Sequence, residues 1–564
     1  MKEKNNELGQ SVLKGSLILV AANLLVKVIG ALFKIPITNL LGNEGMGYFS
    51  SAYTIYSGLF TVATAGLPVA IAKMIAESTA HGNLRELKRT HGVSYIIFAF
   101  VGVVGSAVLF FGADDFVKSY GDNSLCIKIV APALFFVAIM SVYRGFFQGL
   151  SDMYPTAISE LIESGIKLLL GYLAAYIFLK KGLIYGAAGA ISGVTAGSIF
   201  GCIFLITTFF KKRKKIYASL DGSISPPSYI SIFGRLMGVA LPVTVSASVF
   251  TITNLIDVFQ IGRRLSLIAD KIPQEQIDRC IKYMDKAIAA SGDKTAAIVN
   301  SLYGMYTAKV ITMLNLLPAI VIAVCLPLVP AIARSFAAKD YSGVSKTTQM
   351  SIKFTVVFSF PGAVGIGILS DPILRTLFGS NDASFLLRLI TPAIVSVSLV
   401  LVTNAILQAT GNVIVPVINI AVAGITKVII NYFLLVIPVV NINGVAIGTS
   451  VCYLIYMTLN LYYVIKVTKP NLNIYDIAVK PIISAAVMGI AVFAVNGVLT
   501  HFLGTSRLAA IICTAVGVGI GGIIYLVMLF VTGTLKEEEI RELPKGDKIV
   551  EALSEIGLIK RLKD

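Results

Sequence analysis

Residues 23–42 read NLLVKVIGALFKIPITNLLG, an apolar run long enough to cross the hydrocarbon core of a membrane as one helix. Two lysines interrupt the run, Lys27 and Lys34, which lie seven residues apart. Seven residues turn an α-helix through about 700°, so both ammonium groups project from one face. A charged face within a membrane-spanning helix is expected to border a helix bundle or a watery cavity rather than lipid. The stretch therefore predicts a spanning helix that lines something polar.

The whole chain has the composition of a membrane protein. Of its 564 residues 56% are hydrophobic and 14% are charged, and its mean hydropathy is +0.84. Soluble domains carry about 45–50% apolar and about 25% charged residues. Apolar windows of about 20 residues recur along the chain and predict an all-α polytopic membrane protein with about fourteen spans. We place them at 15–37, 48–71, 92–111, 129–147, 158–179, 187–209, 234–260, 304–332, 352–369, 386–407, 414–437, 445–465, 481–502 and 508–531.

Positively charged loops set the predicted orientation. Lysines and arginines gather between 73 and 89, in KKRKK at 211–215, and at later turns on the same side of the membrane. Because such loops stay inside, both termini are predicted to be cytoplasmic, with the first span retained in the mature protein of a bacterial plasma membrane. The formal net charge of +17 then reflects topology and anionic lipid headgroups, and no nucleic-acid partner is expected.

The chain repeats itself. APA at 131–133 matches TPA at 391–393, Gln148 matches Gln408, and Lys167 matches Lys427, each at a separation of 260 residues. AIAK at 70–73 and AIAR at 331–334 follow at a separation of 261. Since the loop charges give corresponding spans the same orientation, the repeat predicts two parallel six-helix lobes related by an axis along the membrane normal.

These observations predict four parts of the chain: an N-lobe at 1–215 (spans one to six), a C-lobe at 216–470 (spans seven to twelve), spans thirteen and fourteen at 471–531, and a charged cytoplasmic tail at 532–564. In folds of this kind the substrate lies between the lobes near the bilayer midplane, and rocking of the lobes exposes it to each side in turn.

Ionisable residues inside the predicted spans indicate the substrate class. Lys27, Lys34, Lys309 and Lys427 have no acidic residue at helical spacing, so we expect them to line a net cationic site suited to an anion such as a pyrophosphate. Glu163 and Lys167 lie four residues apart and are expected to form a structural or gating ion pair.

Asp257 is the acidic residue deep in the seventh span, where it could bind a coupling cation or a proton, or pair with a lysine. The cysteines and histidines show no metal-ligand spacing, and no nucleotide-binding or hydrolase motif is present. No cofactor is therefore expected, apart from coupling to Na⁺, to H⁺ or to the membrane potential.

Three segments carry a resemblance to a known family. They are KGSLILVAANLLVKVIGALFKIPITNLLGNEGMGYF at 14–49, GLPVAIAKMIAESTAHGN at 66–83 and SVYRGFFQGLSDMYPTAISELIE at 141–163. In order and spacing they resemble the stage V sporulation protein B and MurJ-like branch of the MOP exporter superfamily, which comprises flippases of polysaccharides and lipid-linked oligosaccharides with a MATE-like fold.

The resemblance implies a monomeric, V-shaped transporter that moves an undecaprenyl-pyrophosphate-linked saccharide, such as lipid II, to the outer leaflet. Basic residues of the first, second and eighth helices would contact the diphosphate, and Lys27, Lys34 and Lys309 match those of the first and eighth. Helices thirteen and fourteen would form a groove for the lipid tail. A sodium site would draw on the seventh, eleventh and twelfth helices, where Asp257, Asn431 and Thr449 match the family pattern.

Our interpretation is a non-enzymatic, alternating-access flippase of cell-wall or other polysaccharide precursors, used in growth or in sporulation. The nearest alternative is a multidrug and toxin cation antiporter of the same superfamily, which would favour carboxylates over lysines. A membrane glycosyltransferase would need paired carboxylates in an outer loop. The loop 262–300 has the carboxylates, but those at 275, 278 and 285 share helical spacing with basic residues, which is typical of a solvated helix. A structural scaffold would leave the span lysines unexplained.

Overall fold

The computed structural model describes residues 2–121, 123–218, 220, 225–281, 293–325, 328–470 and 473–534. Within these ranges the protein is helical and contains no β-strand, which confirms the predicted all-α class. The helices are α1 Lys2–Thr64, α2 Leu67–Ala80, α3 Leu84–Phe111, α4 Ala113–Phe116, α5 Ser124–Gly149, α6 Tyr154–Phe178, α7 Leu183–Ala218, α8 Tyr229–Ser266, α9 Gln274–Ile281, α10 Lys294–Gly304, α11 Ile311–Cys325, α12 Leu328–Ala337, α13 Tyr341–Ile368, α14 Ser370–Phe378, α15 Ser384–Ala409, α16 Ile414–Leu434, α17 Asn443–Thr468, α18 Lys480–Leu503 and α19 Arg507–Val531. Two π-helical turns, Met305–Val310 and Tyr475–Val479, precede α11 and α18.

Twelve helical segments of the described residues are long and apolar enough to cross a membrane, so the chain is a multi-pass membrane protein. The predicted count of about fourteen is not confirmed. One of the twelve segments, Leu25–Ala80, has 56 residues and takes in most of two predicted spans, 15–37 and 48–71. The predicted span 234–260 lies in α8, where the apolar part is the shorter stretch Tyr229–Val245.

The boundaries of the second predicted span are wrong. The chain leaves helical geometry at Gly42, with φ 66° and ψ −174°, and α1 then continues to Thr64. A new helix, α2, begins at Leu67 with Pro68 in its first turn. Proline suits that position because its missing N–H has no intrahelical partner there. Pro68 therefore lies in the first turn of a helix rather than in the interior of one.

The eighth predicted span, 304–332, starts too late. Helix α10 begins at Lys294, where the Asp293 side chain accepts a hydrogen bond of 3.2 Å from the Ala296 backbone N–H. Such an N-cap satisfies a backbone donor that the helix itself leaves open. The end of the predicted outer loop is thus helical. Within that loop α9 fits the predicted solvated helix, whereas Asp285 lies outside the described residues, as does most of the predicted tail, 535–564.

The chain packs as two compact units. Unit 1 comprises residues 1–308 and 428–444, and unit 2 comprises 309–427 and 445–564. The lobe boundaries derived from the sequence repeat remain a prediction. In unit 1 the core is aromatic and aliphatic, and the rings of Phe146 and Phe209 lie 5.2 Å apart between centroids. In unit 2 the Tyr525 hydroxyl of α19 donates a hydrogen bond of 2.7 Å to the Val357 carbonyl, which ties α19 to α13.

Helices α1 and α10 of unit 1 cross at very short range. A Cβ placed on Gly47 would lie 2.1 Å from the backbone oxygen of Asn300, and one on Gly304 would lie 1.8 Å from the backbone oxygen of Asn43. The glycine of each helix thus lies against the backbone carbonyl of an asparagine in the other helix. In both helices the asparagine stands four residues before the glycine. Any side chain at either glycine would push the helices apart, so the crossing depends on this reciprocal Asn-x-x-x-Gly pattern.

Candidate functional site

Lys27 and Lys34, the lysines of the opening stretch, lie on α1 in different surroundings. Lys27 is exposed, whereas Lys34 is partly buried. The Lys34 ammonium donates a hydrogen bond of 3.3 Å to the backbone carbonyl of Thr307. Thr307 belongs to the π-helical turn Met305–Val310, a geometry that shifts carbonyls out of α-helical register and is frequent at functional sites. Lys34 is therefore held by a neutral acceptor that leaves its charge unneutralised.

The predicted ion pair between Glu163 and Lys167 is wrong. The Glu163 carboxylate instead pairs with Arg144 of α5 at 3.0 Å, and the Arg144 Nε also donates to the Ser159 hydroxyl at 3.1 Å. An exposed pair four residues apart on one helix contributes only about 0.2–0.5 kcal/mol, so a partly buried guanidinium with two acceptors outcompetes it. Glu163 thus ties α6 to α5.

Lys167 lies over aromatic rings instead. Its ammonium is 4.3 Å from the centroid of the Tyr53 ring and 5.4 Å from that of Phe33, both on α1. Such a cation–π contact does not use up the N–H donors of the lysine. The electrostatic interaction between Lys34 and Lys167 is repulsive. Two cations of unit 1 are thus brought together by α1 and α6.

A row of aromatic rings runs along α1 and includes Tyr53, the ring beside Lys167. Phe49 stacks on Tyr53 at 5.8 Å between centroids, Tyr53 meets Tyr56 at 6.1 Å, and Tyr56 stacks on Phe60 at 6.4 Å. The positions 49, 53, 56 and 60 follow helical spacing, so they share one face. The row of rings could have been predicted from this spacing in the sequence. Of these four rings, Tyr53 lies against the Lys167 ammonium.

Asp257 and Asn431, two residues of the implied sodium site, meet inside unit 1. The Asn431 side-chain amide donates 3.1 Å to the Asp257 carboxylate, and both residues are buried. Next to them the Gln260 amide donates 2.8 Å to the Val428 carbonyl, which fixes α8 against the end of α16. The third residue, Thr449, is buried in unit 2. Among the described residues no group of three or more His, Cys, Asp or Glu side chains is arranged to hold a metal.

Lys309 is neutralised in unit 2, contrary to its predicted role as an uncompensated cation. Its ammonium lies 2.7 Å from both the Ser380 hydroxyl and a carboxylate oxygen of Asp382, and the two charged side chains are 4% and 1% exposed. Asp382 comes from the loop between α14 and α15, 73 residues further along the chain. No spacing rule predicts a partner at that separation. Lys427 is buried in α16 of the same unit.

An apolar cavity of about 940 Å³ lies in unit 2. Its walls come from α13, α15 and α17 and from the chain around the π-helical turn Tyr475–Val479, with Val356, Leu399, Met457 and Ile477 among the lining residues. Nearly all of its surface is hydrocarbon, which suits the chain of a lipid. The tail groove that the resemblance implies was expected at α18 and α19. This cavity lies mainly between three earlier helices.

Two family models match the chain. The model described as "Polysaccharide biosynthesis protein" matches residues 12–336, more than half of the chain, and the model "Lipid II flippase MurJ" matches residues 282–514. A curated relative, "Stage V sporulation protein B" of Bacillus subtilis (strain 168), is 25% identical over 539 residues, which are 95% of this chain and 98% of the relative.

Solved structures share the fold. "Lipid II flippase MurJ, inward closed conformation" superposes with a TM-score of 0.65 at 14% identity, covering 91% of this chain and 98% of that one. An inward-facing multidrug resistance MATE family transporter of the MOP superfamily gives 0.60 at 16% identity, covering 79% and 96%. The predicted MATE-like fold is therefore confirmed. On the match of the first family model, the chain belongs to the polysaccharide biosynthesis protein family.

Proposed function

We propose that this protein is a flippase that carries a pyrophosphate-linked saccharide on an undecaprenyl lipid, a precursor like lipid II, to the outer leaflet of the bacterial cytoplasmic membrane. It performs no chemical conversion. The observation that carries the proposal is the uncompensated cationic face of α1, where Lys27 is exposed and Lys34 is partly buried with a neutral hydrogen-bond acceptor.

A lysine at this depth carries an energetic cost that a ligand can offset. Placing a charged side chain at the centre of a spanning helix costs about 2.5–3.5 kcal/mol on insertion scales. A phosphate oxygen would return part of that cost through a short, charge-assisted hydrogen bond. Lys34 therefore favours an anion over an organic cation, which argues against the drug-antiporter alternative despite the shared fold.

The family match and the names of the relatives support the same substrate class. The chain falls in a polysaccharide biosynthesis family, and its second matching model is that of a lipid II flippase. The apolar cavity of unit 2 has a lining that suits a prenyl tail. The Lys309–Asp382 pair leaves Lys309 as a structural anchor in this conformation, so we assign the first contacts to Lys27 and Lys34.

We further propose that the lobes 1–215 and 216–470 open the headgroup site alternately to each side, with both termini in the cytoplasm. An inside-negative potential favours anion export by about 2.3 kcal/mol per charge per 100 mV. Net transport therefore does not require ion coupling. Asp257 and Asn431 keep a role in unit 1 as a buried polar pair that a cation or a proton could occupy.

Binding tests this proposal. The wild-type protein in nanodiscs is titrated with lipid II and analysed by native mass spectrometry, beside Lys34→Ala and Lys27→Ala. Lys128→Ala is the matched control, because Lys128 pairs with Asp114 in an exposed position. We expect saturable lipid II binding that weakens in the two α1 variants and not in the control. Absence of binding in the wild type, or preference for an organic cation, would overturn the proposal.

A further inference from the structure

We infer that Lys167 is a direct headgroup contact that binds the pyrophosphate together with Lys34. This inference rests on the proposed function and names a residue of the same site. It replaces the expected pairing of Lys167 with Glu163, which the structure assigns to Arg144.

The first support is the charge balance around Lys167. Glu163, the carboxylate nearest in the chain, is held by Arg144 at 3.0 Å. Among the residues that the structure describes, neither Lys167 nor Lys34 forms an ion pair. Lys167 has aromatic faces beside it and Lys34 has a backbone carbonyl, so these contacts of both ammonium groups are with neutral groups. Unit 1 therefore holds two neighbouring cations that repel each other.

The second support is position. Phe33, whose ring lies 5.4 Å from the Lys167 ammonium, directly precedes Lys34 on α1. The Tyr53 ring holds Lys167 at 4.3 Å from a second point of the same helix. A cation fixed over a ring retains N–H donors that point away from it. A ligand with two linked phosphate groups can accept from both lysines and remove their repulsion, which a single phosphate does less well.

The third support is the repeat. Lys167 of the first copy corresponds to Lys427 of the second at a separation of 260 residues. Helices α6 and α16 thus each carry a lysine at the corresponding position of the repeat. A packing role would be served equally by an uncharged side chain and at lower cost, because charges within spans are expensive.

The experiment compares Lys167→Met, Lys167→Arg and Lys34→Met in nanodiscs, singly and in the pair Lys167→Met with Lys34→Met. Dissociation constants are measured for lipid II and for undecaprenyl phosphate, and unfolding temperatures are measured for every variant. We expect Lys167→Met to weaken lipid II binding at least about tenfold, the effect of losing one charged hydrogen bond. Undecaprenyl phosphate should lose less, and Lys167→Arg should retain most of the affinity.

The double variant separates direct contact from simple packing. If both lysines bind one diphosphate, the losses of lipid II affinity in the two single variants do not add up to the loss in the double variant, because the residues share a ligand. A Lys167→Met protein that binds lipid II like the wild type, while Lys34→Met does not, would overturn this inference and leave the flippase proposal intact. A wild-type protein without lipid II binding would overturn both. If Lys167→Met fails to fold, the Lys167→Arg protein decides. A folded Lys167→Arg protein that loses lipid II affinity would also count against the inference, because a positive charge at this position would then not be sufficient for binding.

Discussion

The close crossing of α1 and α10 makes the replacement of Gly47 by alanine a sharp test of the packing. The new Cβ would lie 2.1 Å from the Asn300 backbone oxygen, whereas ordinary contacts begin near 3.4 Å. The helices must therefore separate by more than an ångström or bend. Overpacking of this kind costs about 1–3 kcal/mol. Alanine returns about 0.5–1 kcal/mol through its better helix propensity, so the net effect is destabilising.

The assay is thermal unfolding in a fixed detergent, read by intrinsic tyrosine fluorescence and by loss of monodisperse protein. Gly47→Ala and Gly304→Ala should both lower the unfolding temperature, with Gly304→Ala the more severe because its contact is 1.8 Å. Gly519→Ala is the control, since Gly519 is exposed in α19 and has no heavy atom within 4 Å. An unfolding temperature of Gly47→Ala at or above that of the wild type would refute the reasoning.

Three further predictions concern charged side chains. Lys309→Met should destabilise unit 2 by about 3–5 kcal/mol because it removes the ammonium that pairs with the buried Asp382 carboxylate, and Lys309→Met with Asp382→Leu should recover much of that loss in unfolding scans. Glu163→Gln should lower the unfolding temperature because it removes the carboxylate that pairs with Arg144, and Lys167→Met should not have this effect. Equal decreases in the two variants would instead support an ion pair between Glu163 and Lys167. Asp257→Asn should leave translocation driven by an inside-negative potential unchanged in Na⁺-free vesicles, whereas loss of that transport would make Asp257 a coupling residue.

The fold class could be predicted from the sequence because it depends on local properties. Long apolar windows predict helices wherever they occur along the chain. The motifs that recur 260 residues apart predict that the helices of the first half have counterparts in the second. The exact ends of helices depend on single residues such as Pro68 and Asp293, whose capping effects compete with hydropathy. The break at Gly42 lies between two apolar runs that continue in helical form on either side, so a hydropathy window cannot separate them.

The candidate site was predicted only in part, because its partners lie far apart in the chain. Lys34 was identified from spacing along one helix. The Asp382 carboxylate that neutralises Lys309 comes from a distant loop, and the reassignment of Glu163 to Arg144 depends on how α5 packs on α6. The Asn-x-x-x-Gly pattern was present twice, at 43–47 and at 300–304, and its second copy could have indicated that these two helices meet.

Transport itself tests the central claim most directly. Purified protein is reconstituted into liposomes under an inside-negative potential, with fluorescent lipid II in the inner leaflet, and its arrival outside is followed with an impermeant quencher. The account predicts faster arrival than in protein-free vesicles and slower arrival with Lys34→Ala. Lipid II that moves no faster than in empty vesicles, in a preparation that is folded and correctly inserted, would contradict it.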